Sequence, residues 1–247
     1  MSAQATIPGG CCKATAPAPA ERCGGCPCGC FSCDKVVGTR CACRRKMAKR
    51  YGKVIDEFGR LKVGEKAPPF ACDALVPGGA ARVVKLTDFQ GLVSSRWVVL
   101  AFYCGDFSPV CATEVAALDK HLAAFHALGA EVVGVSGDTV EAHRAWTSVP
   151  PERGGVGAVG FPLLADVRRS VALCYGAFRR GAGGCGRVTV IVDAAGVVRE
   201  IIHHPDGVGR ATAGLLRSLK GLQAADKDGG LCPANWAPGD APLRADR

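Results

Sequence analysis

The amino-acid sequence predicts an α/β fold, in which helices cover both faces of a central sheet. Apolar runs typical of buried strands alternate along the chain with segments whose apolar residues recur at helical spacing. In addition, 48% of the 247 residues are hydrophobic, which is enough for an extended core. A chain of this length is expected to form one large domain with an extension.

The first part of this pattern surrounds a cysteine. Residues 97–103 (WVVLAFY) are apolar throughout and are predicted to form a buried strand. After Cys111, apolar residues recur at positions 115, 118, 122 and 125, which is one face of a helix that should end at Gly129. Residues 131–135 (EVVGV) are predicted to form the next strand.

The second part of the chain continues the alternation. Residues 139–147 are predicted to be helical. Two further strands, residues 187–193 (RVTVIVD) and 197–203 (VVREIIH), should be paired through the turn at residues 193–196 (DAAG). Residues 208–222 (VGRATAGLLRSLKGL) are predicted to form a final helix.

The first 62 residues differ in composition from the rest. They hold 12 Lys and Arg against 4 Asp and Glu, a net of +8, whereas residues 63–247 hold 19 against 18, a net of +1. They also hold nine of the 15 cysteines, at positions 11, 12, 23, 26, 28, 30, 33, 41 and 43. We expect this tail to be largely disordered because it lacks residues that could form an apolar face, although a short basic helix is conceivable over residues 43–62.

Three roles remain open for the tail. The first is a disordered extension without a site, or one that docks onto a larger assembly. The second is acylation of its cysteines beside the basic run at residues 40–50, which would provide a two-signal membrane anchor. The third and weakest is a metal site built from two C-x-x-C pairs with an unusually short spacer, Cys23, Cys26, Cys30 and Cys33. Nucleic-acid binding is not expected, since the tail has one aromatic residue before Tyr51.

Membrane-spanning proteins and secreted disulfide scaffolds are not indicated. The longest apolar run, residues 97–104, has eight residues, far fewer than the roughly 20 that a membrane helix needs. The N-terminal segment lacks the apolar stretch of a secretory signal. We therefore expect a cytoplasmic protein, in which abundant cysteine indicates reactive thiols or metal ligands more often than structural bridges.

Cys111 is the cysteine whose position favours chemistry. It follows the strand at residues 97–103 and a short loop, and it lies where the next helix is predicted to begin. Unsatisfied backbone N–H groups and the positive end of the helix dipole favour a thiolate at that place. On position alone, an inert buried cysteine is about equally compatible with the sequence.

The residues around Cys111 resemble a known family. FYCGDFSPVCATEV (residues 102–115) is similar to the peroxidatic-cysteine segment of the peroxiredoxins, in which Thr or Ser stands three residues before the cysteine. The resemblance covers residues 63–240 and indicates the typical two-cysteine group, which has a thioredoxin-like fold with a central mixed sheet. It extends in the same order through VGVSGDTVEAHRAW, GGVG, FPLLADVRRSVALCYG, GRVTVIVDAAGVVREI and GGLCPANWAPGD.

The resemblance implies a role for five residues. Cys111 would be the peroxidatic nucleophile, and Ser108 would hydrogen-bond the thiolate and the bound peroxide. Arg187 would supply a cation with several donors, and Glu114 would orient it. Cys232 would be the resolving cysteine, which in this family forms a disulfide with the peroxidatic cysteine of another subunit.

The implied protein is a thiol-dependent peroxidase that reduces hydrogen peroxide and organic hydroperoxides without metal, haem or flavin. It would be a homodimer, with a decamer left open, and a thioredoxin-like dithiol protein would regenerate it. The corresponding division of the chain is a tail at residues 1–62, a peroxiredoxin domain at 63–225 and a C-terminal arm at 226–247 that carries the resolving cysteine.

Three departures from the family pattern bear on activity. The family usually has Pro seven residues before the nucleophile, an aromatic residue two before and Pro directly after, whereas this chain has Cys104, Pro109 and Ala112. Pro109 puts the geometry of the loop in question. The alternative to a peroxidase is therefore a catalytically weak structural or chaperone component of an assembly. Four other cysteines are expected to be bystanders: Cys72, Cys104, Cys174 and Cys185.

The C-terminal end also differs from some members of the family. The chain ends in APGDAPLRADR, without the Tyr-Phe helix associated with members sensitive to overoxidation. We therefore expect resolution by Cys232 to outrun overoxidation of Cys111.

Overall fold

A seven-stranded mixed sheet forms the centre of the computed structural model, which describes residues 61–90, 96–179, 184–241 and 243. The strands follow the order β2-β1-β5-β4-β3-β6-β7 across the sheet. Their bounds are β1 (Ala71–Leu75), β2 (Ala81–Lys85), β3 (Trp97–Phe102), β4 (Ala130–Ser136), β5 (Leu163–Ala165), β6 (Arg187–Val192) and β7 (Val198–His204). The helices are α1 (Pro109–Lys120), α2 (Leu122–Ala127), α3 (Val140–Ser148), α4 (Ser170–Cys174) and α5 (Thr212–Asp228).

Strand directions confirm the mixed sheet. β3, β4 and β5 run parallel to one another, while β6 lies antiparallel to β3 and β7 lies antiparallel to β6. The hairpin of β1 and β2 joins the other edge, where β1 pairs antiparallel with β5. Both central strands, β3 and β4, are thus hydrogen-bonded on each side.

The two faces of the sheet bury separate apolar clusters. Alternate residues of β3 point to opposite faces, as the two-residue period of a strand requires: Val98 and Leu100 join one cluster, and Val99 joins the other. Helices α1, α2, α3 and α5 contribute to the second cluster, and α4 contributes to the first. The prediction of a sheet covered on both faces is confirmed.

Elements with strong local patterns lie close to their predicted bounds. The strands at residues 97–103, 131–135, 187–193 and 197–203 correspond to β3, β4, β6 and β7. The helix predicted over residues 139–147 is α3, whose N-cap residue Thr139 accepts a hydrogen bond at Oγ1 from the N–H of Ala142 (3.2 Å). The helix after Cys111 is two helices, because the chain leaves helical geometry at His121.

The final helix was predicted four residues too early. α5 begins at Thr212, since the backbone N–H of Arg210 donates to Glu114 Oε1 (2.6 Å) and holds the preceding residues outside the helix. It continues six residues beyond the predicted end and stops where Gly229 adopts a left-handed φ of 59°. Four elements had no prediction: β1, β2, β5 and α4 have three to five residues each, too few for periodicity to show.

The described chain begins slightly before the expected domain boundary. Leu61 is buried in the first cluster, and the N–H of Gly64 donates to the carbonyl of Val198 (2.8 Å). At the other end, the expected boundary at residue 225 falls inside α5. The predicted disorder, the metal candidates and nearly all of the basic helix of the tail lie outside the described residues. Across the described part of the chain, no helix is long and apolar enough to cross a membrane.

Candidate active site

Cys111 is the third residue of α1 and is completely buried. Pro109 begins the helix, and Ser108 is its N-cap residue, with an extended backbone. Proline is well tolerated at the first helical position, where no intrahelical hydrogen bond to its nitrogen is lost. The departure at Pro109 therefore fits the loop and helix geometry, and the predicted place of Cys111 in the first turn of a helix is confirmed.

The surroundings of Cys111 lower its pKa. Burial acts in the opposite direction and favours the neutral thiol. Hydrogen bonds from the Cys104 and Ser108 side chains, and from the backbone N–H groups of Cys104 and Gly105, outweigh burial and favour the thiolate. Ser108 is free to take part because its hydroxyl does not cap the helix.

Arg187 and Glu114 meet beside the cysteine sulfur. Arg187 Nη1 lies 3.8 Å from Cys111 Sγ and also donates to Glu114 Oε2. Arg187 is the first residue of β6, and Glu114 lies one helical turn after Cys111. Burial alone would lower the pKa of Arg187, but Glu114 and Cys111 raise it overall. The structure thus brings together four of the predicted site residues: Ser108, Cys111, Glu114 and Arg187.

Arg210 is a site residue that the sequence did not reveal. Its Nε donates to Glu114 Oε1 (3.0 Å), and its Nη1 donates to Thr189 Oγ1 (3.0 Å) on β6. It was predicted to lie inside the final helix, over residues 208–222, and nothing in its local sequence distinguishes it from a solvated helix arginine. Only its burial and its contacts with distant elements identify it.

The buried charges balance only when Cys111 is ionised. Two guanidinium groups, Arg187 and Arg210, are buried with one carboxylate, Glu114. The set carries a net charge of +1 with a Cys111 thiol and of zero with a thiolate. Because an uncompensated charge is costly away from water, the cluster favours the nucleophilic form of the cysteine.

Cys104 is in direct contact with the site, which corrects the expectation that it is a bystander. Its Sγ lies 2.7 Å from Cys111 Sγ and 3.3 Å from Ser108 Oγ. Unlike Cys111, it is exposed. Burial of its sulfur and the hydrogen bond with Cys111 raise the pKa of Cys104, while Ser108 and Arg187 act to lower it. In the reduced pair, therefore, the pKa shifts favour ionisation of Cys111 over ionisation of Cys104.

A buried polar network holds the loop between β3 and α1. Asp106 accepts a hydrogen bond from Tyr103 Oη (2.9 Å), and its other carboxylate oxygen lies 2.8 Å from His143 Nδ1 on α3. Its backbone N–H donates to Asp138 Oδ2 (2.9 Å). Because these partners lie on separate elements, the loop that presents Ser108 is anchored from several sides.

An open groove of ≈ 480 Å³ extends from Arg187 along the end of β7. Polar side chains of Arg179, His203, His204 and Asp206 line it together with short backbone segments. Arg187 thus lies between the groove and Cys111. Among the residues that the structure describes, no group of His, Cys, Asp or Glu side chains could hold a metal ion.

Cys232 lies against α5. It follows α5, is half-buried, and donates a hydrogen bond to the carbonyl of Gly221 (3.4 Å). Trp236, which packs near Gly221, is buried next to it. The predicted pairing of Cys232 with Cys111 of another subunit stays a prediction for a single chain.

The fold and the site together define a class of protein: a thioredoxin-like domain with an activated cysteine at a strand-to-helix junction. The particular family follows from comparison with known proteins. This chain belongs to the AhpC/TSA family, whose model matches residues 63–201. A second model, the C-terminal domain of 1-Cys peroxiredoxin, matches residues 221–245.

Similar proteins agree with this assignment. Peroxiredoxin-2 of Mus musculus is 40% identical over 186 residues, which cover 75% of this chain and 91% of that protein. A putative peroxiredoxin of Entamoeba histolytica is 36% identical over 77% of this chain and 80% of its own length. The reduced 2-Cys peroxiredoxin of Plasmodium vivax is 34% identical with a TM-score of 0.70, covering 73% and 91% of the two chains. The predicted family and thioredoxin-like fold are confirmed.

Proposed function

We propose that this chain is a thiol-dependent peroxidase in which Cys111 reduces hydrogen peroxide and organic hydroperoxides. The observation that carries the proposal is the contact between the buried Cys111 sulfur and Arg187, inside a cluster that is neutral only with a thiolate. A thiolate is the nucleophile required to break an O–O bond. An enzyme is favoured over a structural or chaperone role, since Ser108, Cys111, Glu114 and Arg187 meet in one cluster.

Each of the site residues has a separate role in the proposed reaction. The Cys111 thiolate attacks one peroxide oxygen and becomes a sulfenic acid, while the other oxygen takes a proton and leaves as water or an alcohol. Ser108 and Arg187 donate hydrogen bonds to the peroxide oxygens, on which negative charge develops. Glu114 and Arg210 act as positioning residues, because Glu114 pairs with Arg187 and Arg210 pairs with Glu114.

The later steps of the catalytic cycle are proposed from the resemblance to the family. Cys232 of a partner subunit is proposed to resolve the sulfenic acid in a homodimer, and a thioredoxin-like dithiol to reduce the resulting disulfide. The groove beside Arg187 gives room for the substituent of an organic hydroperoxide. We further propose a cytoplasmic setting, in which such dithiols are available.

Single-turnover kinetics test the proposal. Stopped-flow mixing of the reduced full chain with hydrogen peroxide should show a reaction far faster than that of a free thiol, and Cys111→Ser should abolish it. The matched control is Cys72→Ser, because Cys72 lies on β1 outside the site and burial raises its pKa to about 12. A rate that survives in Cys111→Ser, or that is no faster than a free thiol, would overturn the assignment.

A further inference from the structure

We propose that Cys104 competes with Cys232 of the partner subunit for the sulfenic acid of Cys111 and condenses with it first, within the subunit, to form a Cys104–Cys111 disulfide. The inference rests on the proposed peroxidase function, which supplies the oxidised Cys111. In the condensation, Cys104 Sγ attacks Cys111 Sγ, the S–O bond of the sulfenic acid breaks, and the oxygen leaves as water with the proton from Cys104. The hydroperoxide is the oxidant, and no other is needed.

The distance between the sulfurs favours this step. Cys104 Sγ and Cys111 Sγ are 2.7 Å apart, and a disulfide bond is about 2.05 Å long. The two sulfurs must therefore approach by about 0.65 Å to form the bond. The two residues flank one short loop, which the network around Asp106 holds in place, so the thiols are already in contact before oxidation.

Oxidation of Cys111 also changes the environment of Cys104. In the reduced state, burial raises the pKa of Cys104, and so do the hydrogen bond and the negative charge of Cys111. The contribution of that charge disappears once Cys111 becomes a neutral sulfenic acid. Ser108 and Arg187 remain, and both act to lower the pKa of Cys104. Cys104 thus becomes a better nucleophile at the moment when its target forms.

Exposure gives the disulfide an accessible and an inaccessible sulfur. Cys104 is exposed and Cys111 is fully buried, so a dithiol reductant can attack only the Cys104 side without opening the fold. Attack there expels Cys111, whose lowered pKa makes it the better leaving group. By contrast, Cys232 of a partner subunit can reach Cys111 only if the residues that bury it move.

The sequence provides a direct readout of this disulfide. Trypsin cuts after Arg96 and Lys120, and residues 97–120 contain Cys104 and Cys111 and no other cysteine. The full-length reduced protein is treated with one equivalent of hydrogen peroxide, alkylated and digested without reduction. We expect peptide 97–120 to lose two hydrogen atoms and to carry no alkyl group, in wild type and in Cys232→Ser equally. The Cys72→Ser control should behave as wild type.

Cys104→Ser tests the pairing because it keeps a hydroxyl donor but cannot form the bond. In this variant we expect Cys111 to pass to a covalent dimer through Cys232 or to sulfinic acid, with the sulfinic fraction at excess peroxide several-fold above wild type. If the wild-type protein has consumed one equivalent of peroxide and its peptide 97–120 still carries an alkylated Cys104, this inference is overturned while the proposed function stands. Failure of Cys111 to consume peroxide in any variant would instead overturn the proposed function, and this inference with it.

Discussion

Glu114→Gln removes the one negative charge between two buried guanidinium groups. The side chains of Glu114, Arg187 and Arg210 are 3%, 2% and 1% exposed. Glutamine has nearly the same shape, and its oxygen can still accept from Arg210. Its amide NH₂ must then face Arg187, which also donates, so the hydrogen bond is lost and the Cys111 sulfur is the one counter-charge left in the cluster for two guanidinium groups.

The expected cost follows from that burial. Removing one partner of a buried ion pair typically destabilises a protein by about 3–5 kcal/mol, a large part of the roughly 5–15 kcal/mol that holds a domain folded. For a domain of this size, that loss corresponds to a fall in Tm of about 6–20 °C. Peroxide reduction should slow as well, because Arg187 loses the group that orients it beside Cys111.

Urea unfolding of the reduced protein measures the effect, with Glu131→Gln as the matched control. Glu131 also pairs with an arginine, Arg96, but those side chains are 21% and 49% exposed. We expect the free energy of unfolding of that control to fall by at most about 1 kcal/mol. In both variants the slope of the free energy of unfolding against urea concentration should be unchanged. Equal losses in the two variants would refute the argument that burial of the Glu114 cluster determines its contribution.

Two further predictions concern the nucleophile and a turn. Ser108→Ala removes a hydrogen bond that lowers the pKa of Cys111, so the pH profile of the peroxide reaction should shift to higher pH and the rate at neutral pH should fall by roughly 10²-fold. Ser108→Thr should restore both, and an unshifted profile for the alanine variant would contradict the assignment. Gly155→Ala would push a Cβ into the carbonyl group of Val149 and should lower the free energy of unfolding by about 1–3 kcal/mol. The control is Gly207→Ala, where the new methyl group meets open space. Equal melting temperatures of the two variants in thermal unfolding would count against this prediction.

The predicted elements that the structure confirms are those whose pattern is local. β3 and β4 are buried on both faces of the sheet and appear in the sequence as continuous apolar runs. The strand-to-helix junction that carries Cys111 was visible for the same reason. β5, with three residues, and β2, at the sheet edge with mostly exposed side chains, carry too little apolar pattern to be recognised without their neighbours.

The residues of the site likewise include some that the sequence identifies and some that only the structure identifies. Sequence by itself determined the family, the candidate nucleophile, and the residues placed near it by short spacing: Ser108 at the N-cap and Glu114 one turn after Cys111. Tertiary structure alone decided that Arg210 completes the charge cluster from 96 positions along the chain, and that Cys104 lies against the nucleophile instead of being a bystander. The physical reason is that helix and strand periodicity depends on neighbouring residues, whereas charge balance and sulfur contact depend on how distant segments pack.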